Sequence, residues 1–457
     1  MTPARNYEAT LTIERVDQEA RGIARLEGFV WIVPGALPGE IVRARVIKPG
    51  ARYAVARVMD IISPSPERIE PRCAIASRCG GCVWQHARYE ASLAYKQAHV
   101  SDCLTRIGGI NRPTVGSIIG MTNPWNYRNK GSFPVSGISS APRIGFYAAR
   151  SHDVIDAPCG CLLQTDTSNR LIAAAREWMR ANRVDPYDER THRGLIRHIV
   201  TRVNSRGDAM LTIVTNDNRA DIECGGDLVE RLRGAAPSIA GVSVSPNNRP
   251  GNVIFGETCE TIWGSPILTE TLDTIYGELQ FDLSPRSFFQ VNTAQAGRLV
   301  DTMLEYAQPS PACRVADVYC GAGALSLALA KTGADVKGIE IVSDAVNDAR
   351  RNAARNGLPY VRFQCGDAVD LLPKLIETDG RFDLITLDPP RKGCERAVLE
   401  AAALANPKRI VYISCDPATL ARDASILRDL GYAFVKAQPI DQFCWTSAVE
   451  TVALFAR

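Results

Sequence analysis

The chain has 457 residues, of which 46% are hydrophobic and 23% charged, and its formal net charge at pH 7 is +3. This length accommodates two or three domains, and the composition is that of an ordinary globular protein. The sequence has no run of about 18 apolar residues, so we predict no transmembrane helix and no membrane partner. The small net charge does not by itself indicate a nucleic-acid-binding protein, although it is compatible with a local basic groove.

The chain contains fourteen cysteines. Its first residues lack the apolar core of a signal peptide, so we expect a cytoplasmic protein, and we expect it to be a monomer. Cysteines without a secretory signal indicate reduced thiols that serve a metal or catalysis, rather than a disulfide framework.

Residues 1–62 alternate apolar and polar residues in short runs that are separated by turn residues. This pattern predicts a small all-β barrel or sandwich with strands at residues 9–13, 29–33, 41–47 and 53–58. Several arginines alternate along these strands and could share one face. A barrel with a basic face is a common platform for single-stranded nucleic acid, but a solubilising cap on an enzyme fits the same residues nearly as well.

Residues 63–280 mix strand-like stretches with a helix predicted over residues 168–181. The notable feature here is a set of close cysteines. Cys73, Cys79 and Cys82 have x5 and x2 spacing, and Cys159 and Cys161 follow farther along the chain. Such spacing lets three thiolates converge on one cluster or ion, with a fourth ligand from elsewhere. Three unrelated structural cysteines are the alternative.

Residues 281–457 alternate strand-like and helix-like stretches, which predicts a parallel sheet of βαβ units. The first predicted strand precedes the turn Tyr319-Cys-Gly-Ala-Gly323 and a helix over residues 324–330. Glycines at this turn let a ligand approach the backbone closely. Glu340 ends the next strand and suits two ribose hydroxyls, and Asp367, after the third, suits an adenine amine. This order favours a nucleoside-cofactor site, although a glycine-rich turn also occurs without one.

Two further motifs end strands in this region. Asp388-Pro-Pro-Arg-Lys-Gly393 follows a predicted strand, and its prolines force an extended loop that holds the carboxyl at the sheet edge. Cys415 lies in Ser414-Cys-Asp-Pro-Ala-Thr-Leu-Ala-Arg-Asp423, after a strand over residues 409–413. Since open α/β sheets bind ligands at the carboxyl ends of strands, this thiol would face the cofactor. Alternatively, Asp388 caps a helix and Cys415 is a small buried hydrophobe.

With these motifs, the third region resembles a class I S-adenosylmethionine-dependent methyltransferase, and the whole chain resembles the RNA (uracil-5-)-methyltransferase family. Ser287-Phe-Phe-Gln-Val-Asn292 and Val449-Glu-Thr-Val452 support the same resemblance. It implies a Rossmann-like α/β catalytic domain over residues 281–457 and a central α+β domain with an iron–sulfur cluster over residues 63–280. The barrel over residues 1–62 resembles a TRAM domain, an OB-like RNA-binding module.

The resemblance also implies the cofactors, the partner and the site residues. S-adenosylmethionine would be the cofactor and RNA the substrate, with 23S rRNA favoured over tRNA because of the TRAM-like module. Cys415 would add to uracil C6, and Glu450 would remove the C5 proton. The cofactor contacts would be Gln290, Tyr319, Glu340, Asp367 and Asp388. The ligands of a [4Fe–4S] cluster would be Cys73, Cys79, Cys82 and Cys161, where Cys161 fits the fourth position better than Cys159 and zinc is the alternative metal.

The chain departs from the family pattern at three positions. Trp445 and Ala448 stand where many relatives are expected to have histidines, and Ala324 stands where relatives are expected to have a polar side chain at the cofactor. Two other functions therefore stay open. One is an amino-group methyltransferase that uses the Asp388 loop and does not need Cys415. The other is an iron–sulfur RNA-binding protein without catalytic activity.

Overall fold

A computed structural model of the chain describes residues 3–220 and 222–457. Within these ranges the chain forms, in order, a six-stranded sheet, a seven-stranded mixed sheet, a two-stranded hairpin and a second seven-stranded sheet. None of the helices in the described ranges is both long enough and apolar enough to cross a bilayer.

The N-terminal sheet follows from the alternation of apolar and polar residues. Its strands are β1 (Glu8–Thr12), β2 (Arg15–Val16), β3 (Arg21–Leu26), β4 (Phe29–Pro34), β5 (Ile41–Lys48) and β6 (Tyr53–Ser63). They pair in the order β1-β5-β6-β4-β3-β2. In β5 the alternation buries Val42 and Val46 in a core with Trp31, while Arg43 and Arg45 point outward. Both of these arginines pair with carboxylates, so their charge is partly compensated within the barrel.

The central region packs two helices against one mixed sheet. Its elements are α1 (Tyr89–Arg106), β7 (Lys130–Ile138), β8 (Ala141–Tyr147), β9 (Val154–Asp156), α2 (Asp166–Ala181), β10 (Ile196–Val203), β11 (Ala209–Thr215), α3 (Gly225–Ala235), β12 (Ile239–Pro246) and β13 (Glu260–Gly264). The strand order is β13-β12-β11-β10-β7-β8-β9. Leu171 and Trp178 of α2 and Leu228 of α3 share one core with the sheet. The region therefore has a hydrophobic core of its own.

The C-terminal region is a parallel sheet with an antiparallel end, and a hairpin precedes it. Its elements are β14 (Leu268–Leu272), β15 (Leu279–Leu283), α4 (Thr293–Ala307), β16 (Arg314–Val318), α5 (Ala324–Ala330), β17 (Asp335–Glu340), α6 (Ser343–Arg355), β18 (Arg362–Cys365), α7 (Ala368–Asp379), β19 (Leu384–Leu387), α8 (Arg396–Leu404), β20 (Arg409–Ser414), α9 (Pro417–Asp429), β21 (Ala433–Ile440) and β22 (Glu450–Ala456). The strand order is β18-β17-β16-β19-β20-β22-β21, and only β22 runs antiparallel to the other strands. The order reverses between β16 and β19, which is where such sheets bind ligands.

Helix α1 connects the predicted domains. It lies within the central region in sequence, yet Val100 and Leu104 are buried in the core of the C-terminal sheet, against α9. Its Lys96 forms a fully buried ion pair with Asp441, after β21. The central region is thus fastened to the C-terminal sheet by a helix that the sequence pattern did not predict.

The structure also shifts several predicted element boundaries. The sequence pattern predicts one strand over residues 360–365, before Asp367, and another over residues 382–387, before Asp388. In the structure these strands begin later, at Arg362 and Leu384. Tyr360 instead lies on the surface, where its hydroxyl donates to the Ala330 carbonyl (3.0 Å). The predicted domain division at residue 280 falls inside β15, because β14 and β15 pair as one hairpin.

Candidate active site and cysteine-lined cavity

The glycine-containing turn joins the end of β16 to the start of α5. Gly323 has a φ of +90°, a left-handed conformation that glycine adopts without strain. Glu340, at the end of β17, accepts hydrogen bonds from the N–H groups of Gly321 (3.1 Å) and Val342 (2.8 Å). Tyr319 begins the turn and is partly buried. The structure therefore brings Tyr319 and Glu340 together at the carboxyl ends of neighbouring parallel strands.

A buried carboxyl supports this turn. Asp317 of β16 accepts hydrogen bonds from the hydroxyls of Ser326 in α5 (2.5 Å) and Thr386 in β19 (2.6 Å). Burial raises the pKa of Asp317 to about 6, although both hydroxyl donors oppose that rise. The interaction ties α5 and β19 to β16, on the two sides of the turn.

Gln290 lies in the loop between β15 and α4, and other parts of the chain hold this loop. The Asn129 side-chain amide donates to the Gln290 carbonyl (2.8 Å), and the Gln442 amide donates to Gln290 Oε1 (3.3 Å). The buried Arg202 guanidinium donates to the Ser287 carbonyl in the same loop. The position of the Gln290 side chain therefore depends on the central region and on the segment after β21.

Asp367 follows β18, whose last residue, Cys365, pairs with Glu340. Its side chain is exposed and caps α7, because Oδ1 accepts from the Val369 N–H (2.9 Å). The structure thus places Asp367 one strand away from Glu340, and its carboxylate already has a structural partner.

Strand register brings Cys415 and Glu450 together. Ser414 of β20 pairs with Thr451 of β22 in antiparallel register, so the next residues outward, Cys415 and Glu450, stand opposite each other. Asp388 follows β19, the parallel neighbour of β20. The three side chains therefore converge at the carboxyl end of the sheet, on the same edge as Tyr319 and Glu340.

The electrostatics of these three groups follow mainly from burial. Burial raises the pKa of Glu450 to about 7, and the positive charge of Arg391 opposes the rise. Burial also raises the pKa of the Cys415 thiol to about 11, the charge on Glu450 adds to this, and Arg391 again lowers it. The pKa of Asp388 is well above its ordinary value because of burial and then the charge on Glu450. At neutral pH the thiol is therefore protonated, whereas Glu450 is near its midpoint.

The loop that begins with Asp388 is fixed by the first turns of α9. Asp423 is buried, and its Oδ2 accepts from the Cys394 N–H (2.8 Å). The Arg422 guanidinium donates to the carbonyls of Lys392 (3.0 Å) and Cys394 (3.2 Å). These contacts explain why the sequence motif around Cys415 extends as far as Arg422 and Asp423.

Four cysteines line one cavity of about 100 Å³ in the central region. They are Cys73, Cys79, Cys82 and Cys161. Arg128 also lines the cavity, whereas Cys159 is exposed and does not. Burial raises the pKa of Cys82 to about 12, and the charges of the neighbouring thiols add to it. In the described parts of the chain, no three His, Cys, Asp or Glu side chains are grouped so as to hold a metal ion.

Sequence reasoning did not single out three residues that the structure places at the site. Asp317 had a visible signal, because it is an acidic residue inside the otherwise apolar end of a predicted strand. Asn129 and Gln442 had none, because their partners lie 161 and 152 residues away in the chain. Local patterns do not report hydrogen bonds across such separations.

Known proteins match the chain over almost its full length. The tRNA (uracil-5-)-methyltransferase family matches residues 261–457, and the TRAM domain matches residues 6–59. An uncharacterized RNA methyltransferase of Halalkalibacterium halodurans is 40% identical over 98% of this chain and 97% of its own. One from Clostridium tetani is 38% identical over 98% of this chain and 96% of its own.

A solved structure shares the fold. The crystal structure of Pyrococcus abyssi tRNA (uracil-54, C5)-methyltransferase in complex with S-adenosyl-L-homocysteine superimposes with a TM-score of 0.77 at 24% identity. The match covers 98% of this chain and 100% of that one.

The sheet order and the strand-end site define a class I methyltransferase fold. More narrowly, the chain belongs to the RNA (uracil-5-)-methyltransferase family, and its N-terminal barrel is a TRAM domain. The predictions of an α/β methyltransferase fold, of a TRAM-like barrel and of an RNA methyltransferase are confirmed.

Proposed function

We propose that this enzyme transfers a methyl group from S-adenosylmethionine to C5 of a uridine in RNA, with Cys415 as the nucleophile and Glu450 as the base. The observation that carries this proposal is the pairing of β20 with β22, which sets a thiol opposite a buried carboxyl with a pKa of about 7. A general base works best when its pKa lies near the operating pH.

The residues at the glycine-containing turn fit S-adenosylmethionine. Glu340 presents a partly exposed carboxylate at a strand end, which suits ribose hydroxyls. Gln290, Tyr319 and Asp367 are the other proposed contacts, together with Asp388 on the same sheet edge. When bound, the cofactor supplies an electrophilic methyl group.

The chemistry at uracil follows from the residue types. After the thiol proton has left to solvent, Cys415 Sγ forms a bond to C6, the electrons of the C5–C6 double bond move onto the C4 carbonyl, and C5 becomes nucleophilic enough to take the methyl group from the cofactor, which would leave as S-adenosylhomocysteine. Glu450 then accepts the C5 proton, the double bond re-forms and the C6–Sγ bond breaks. Burial raises the pKa of Asp388, which favours the form of this carboxyl that can donate a hydrogen bond to the uracil carbonyl on which charge develops.

Arg391 supports both steps. The free Cys415 thiol, with a pKa of about 11, is a poor nucleophile. The positive charge of Arg391 lowers the pKa of Cys415 and that of Glu450. Its positive charge therefore favours the thiolate and the ionised base.

We further propose 23S rRNA as the substrate, with the TRAM domain contributing to RNA binding. A tRNA is the alternative, because the solved protein with the same overall fold is a tRNA (uracil-54, C5)-methyltransferase.

For the cysteine-lined cavity we propose a [4Fe–4S] cluster, with zinc as the alternative. A structural zinc ion needs four ligands within about 2.3 Å of one point. The four cysteines line one cavity of about 100 Å³, and a cluster held at four corners by thiolates requires a wider arrangement than a single ion does. Arg128 in the cavity wall would offset the negative charge of such a cluster. We propose that the cluster holds the surrounding loops together and takes no part in methyl transfer.

A covalent trapping experiment tests the proposed reaction. The purified protein is incubated with S-adenosylmethionine and 5-fluorouridine-substituted 23S rRNA fragments or tRNA transcripts, then run on a denaturing gel. Fluorine at C5 cannot leave as a proton, so we expect a stable protein–RNA adduct with one RNA class. Cys415→Ala should abolish the adduct, whereas Cys365→Ala, which removes an exposed thiol, should not.

An adduct that survives in Cys415→Ala would overturn the role of this thiol. Methyl transfer to RNA without any adduct would favour the amino-group methyltransferase. Bound RNA with neither transfer nor adduct would favour the non-catalytic RNA-binding protein. The RNA that gives the adduct identifies the substrate class.

A further inference from the structure

We infer that Trp445 is a positioning residue that couples two loops. These are the cysteine loop, residues 73–86, and the cofactor loop, residues 284–292, which carries Gln290. The coupling runs through the bridge segment, residues 441–446, which joins β21 to β22. The inference rests on the proposed function in one respect, namely that Gln290 contacts the cofactor.

The first contact joins Trp445 to the cysteine loop through the backbone. The Trp445 carbonyl accepts hydrogen bonds from the N–H groups of Val83 (2.8 Å) and Trp84 (3.2 Å). These residues directly follow Cys82, which lines the cavity. A change in the path of the cysteine loop at Cys82 therefore reaches Trp445 without any intervening side chain.

The Trp445 ring is clamped by its surroundings. It is 3% exposed, its Nε1–H donates to the Pro124 carbonyl (3.1 Å), and its ring lies 4.7 Å from that of Trp125 and 5.2 Å from that of Tyr89, centroid to centroid. The backbone φ of Trp445 is +67°. A bulky residue adopts this conformation only where its surroundings enforce it. The strained residue stands at the junction of the two loops.

The other end of the bridge segment reaches the cofactor loop. The Gln442 side-chain amide donates to Gln290 Oε1 (3.3 Å) and to the Asn292 carbonyl (3.3 Å), and the Asn292 amide donates back to the Gln442 carbonyl (3.2 Å). Gln442 is fully buried. The bridge segment thus positions the side chain that we propose contacts the cofactor.

A buried ion pair fixes the start of the segment. Lys96 Nζ donates to Asp441 Oδ1 (2.5 Å) and to the Phe443 carbonyl (3.0 Å), and the Tyr89 hydroxyl donates to Asp441 Oδ2 (2.6 Å). The bridge segment is held at both ends, and only Phe443 and Cys444 separate Gln442 from Trp445. Displacement at one contact is transmitted to the other, since packed interiors transmit strain.

A double-mutant cycle tests the coupling in the full-length protein. Cys82→Ser perturbs the cysteine loop, Trp445→Ala removes the clamp, and the affinity for S-adenosylhomocysteine is measured by calorimetry for both variants, the double variant and the parent. We expect each single change to weaken binding about ten-fold. The double variant should bind S-adenosylhomocysteine only slightly more than ten-fold more weakly than the parent. The two losses should not multiply, because both changes interrupt the same chain of contacts.

Two further variants keep the test decisive. Trp445→Phe retains an aromatic ring against Trp125 and Tyr89, so its affinity should stay within about three-fold of the parent. Ala448→Ser changes a partly buried neighbour outside the bridge segment and should leave the affinity unchanged. If the two single effects multiply in the double variant, or if Trp445→Ala binds like the parent, the coupling is overturned.

This readout is independent of the reaction. A protein that binds S-adenosylhomocysteine but methylates no uridine would overturn the proposed function, while the cycle would still measure the coupling. Conversely, an intact reaction with multiplicative effects would overturn only the coupling.

Discussion

The strand-end site and the cysteine-lined cavity are built in different ways. At the first, Cys415, Glu450 and Asp388 are positioned by strand register, so backbone hydrogen bonds of the sheet hold the geometry. At the second, Cys73 to Cys82 and Cys161 come from irregular loops, and few regular elements hold them. The fold itself therefore forms the strand-end site, whereas the cysteine-lined cavity depends on what its thiols bind.

The largest expected effect is at the strand-end site. Glu450→Gln keeps the size and burial of the side chain but removes the base, so kcat should fall about 10³-fold while the thermal unfolding profile is retained. A single-turnover methyl-transfer assay measures the loss. If the variant unfolds instead, this site depends on its side-chain charges and does not differ from the cavity in the way that we describe.

The pH dependence of the same site sharpens this point. Glu450 has a pKa of about 7 and must be deprotonated to act as a base. The rate should therefore be lost as pH falls through 7, by about ten-fold for each further pH unit. The residual activity of Glu450→Gln should lack this contribution and should depend on pH only through the Cys415 thiol, whose pKa is about 11. A parent profile that is flat between pH 6 and 8 would contradict the assignment.

In contrast to the strand-end site, the cysteine-lined cavity should lose thermal stability when one of its side chains is changed. Cys82→Ser removes one of the four thiols, and we expect the melting temperature to fall by roughly 5 °C, together with a loss of iron from the purified protein. Cys159→Ser is the matched control, because this nearby cysteine is exposed and lies outside the cavity. Equal iron content and equal melting temperatures in the two variants would remove the distinction between the two cysteines.

The smallest expected effect distinguishes two roles of Asp367, as the N-cap of α7 and as a contact to the cofactor. Asparagine also caps helices, so Asp367→Asn should keep the stability and weaken S-adenosylhomocysteine binding about five-fold, through loss of a charged acceptor. Asp367→Ala should in addition lower the free energy of unfolding by about 1 kcal/mol. Calorimetry and denaturant titration measure the two effects. Unchanged binding in both variants would leave Asp367 with the structural role alone.

The parts of the molecule that could be predicted from sequence are those with local periodicity or a motif. The barrel alternation and the βαβ order gave the N-terminal and C-terminal folds, and the motifs put Tyr319, Glu340, Asp388 and Cys415 at strand ends, where the structure has them. The roles of these residues remain predictions. The placement succeeded because the carboxyl ends of parallel strands share one edge of the sheet.

Helix α1 shows why other parts were not predicted. Its buried face includes Ser92 and Lys96 as well as Val100 and Leu104, so the apolar period along the helix is interrupted. Lys96 can be buried there only because Asp441, 345 residues later, is its partner. The links through Asn129 and Gln442 were missed for the same reason, since each depends on a partner that is remote in sequence.

The position of β22 has a consequence for how the enzyme forms. Residues 450–456 come after every other strand of the sheet in sequence, yet they pair between β20 and β21. Until this segment inserts, Cys415 and Glu450 are not opposed, and two strand edges stay open to other chains. A polypeptide interrupted before residue 450 would therefore be inert toward RNA and prone to aggregate, so that completion of the sheet and onset of reactivity are one event during biosynthesis.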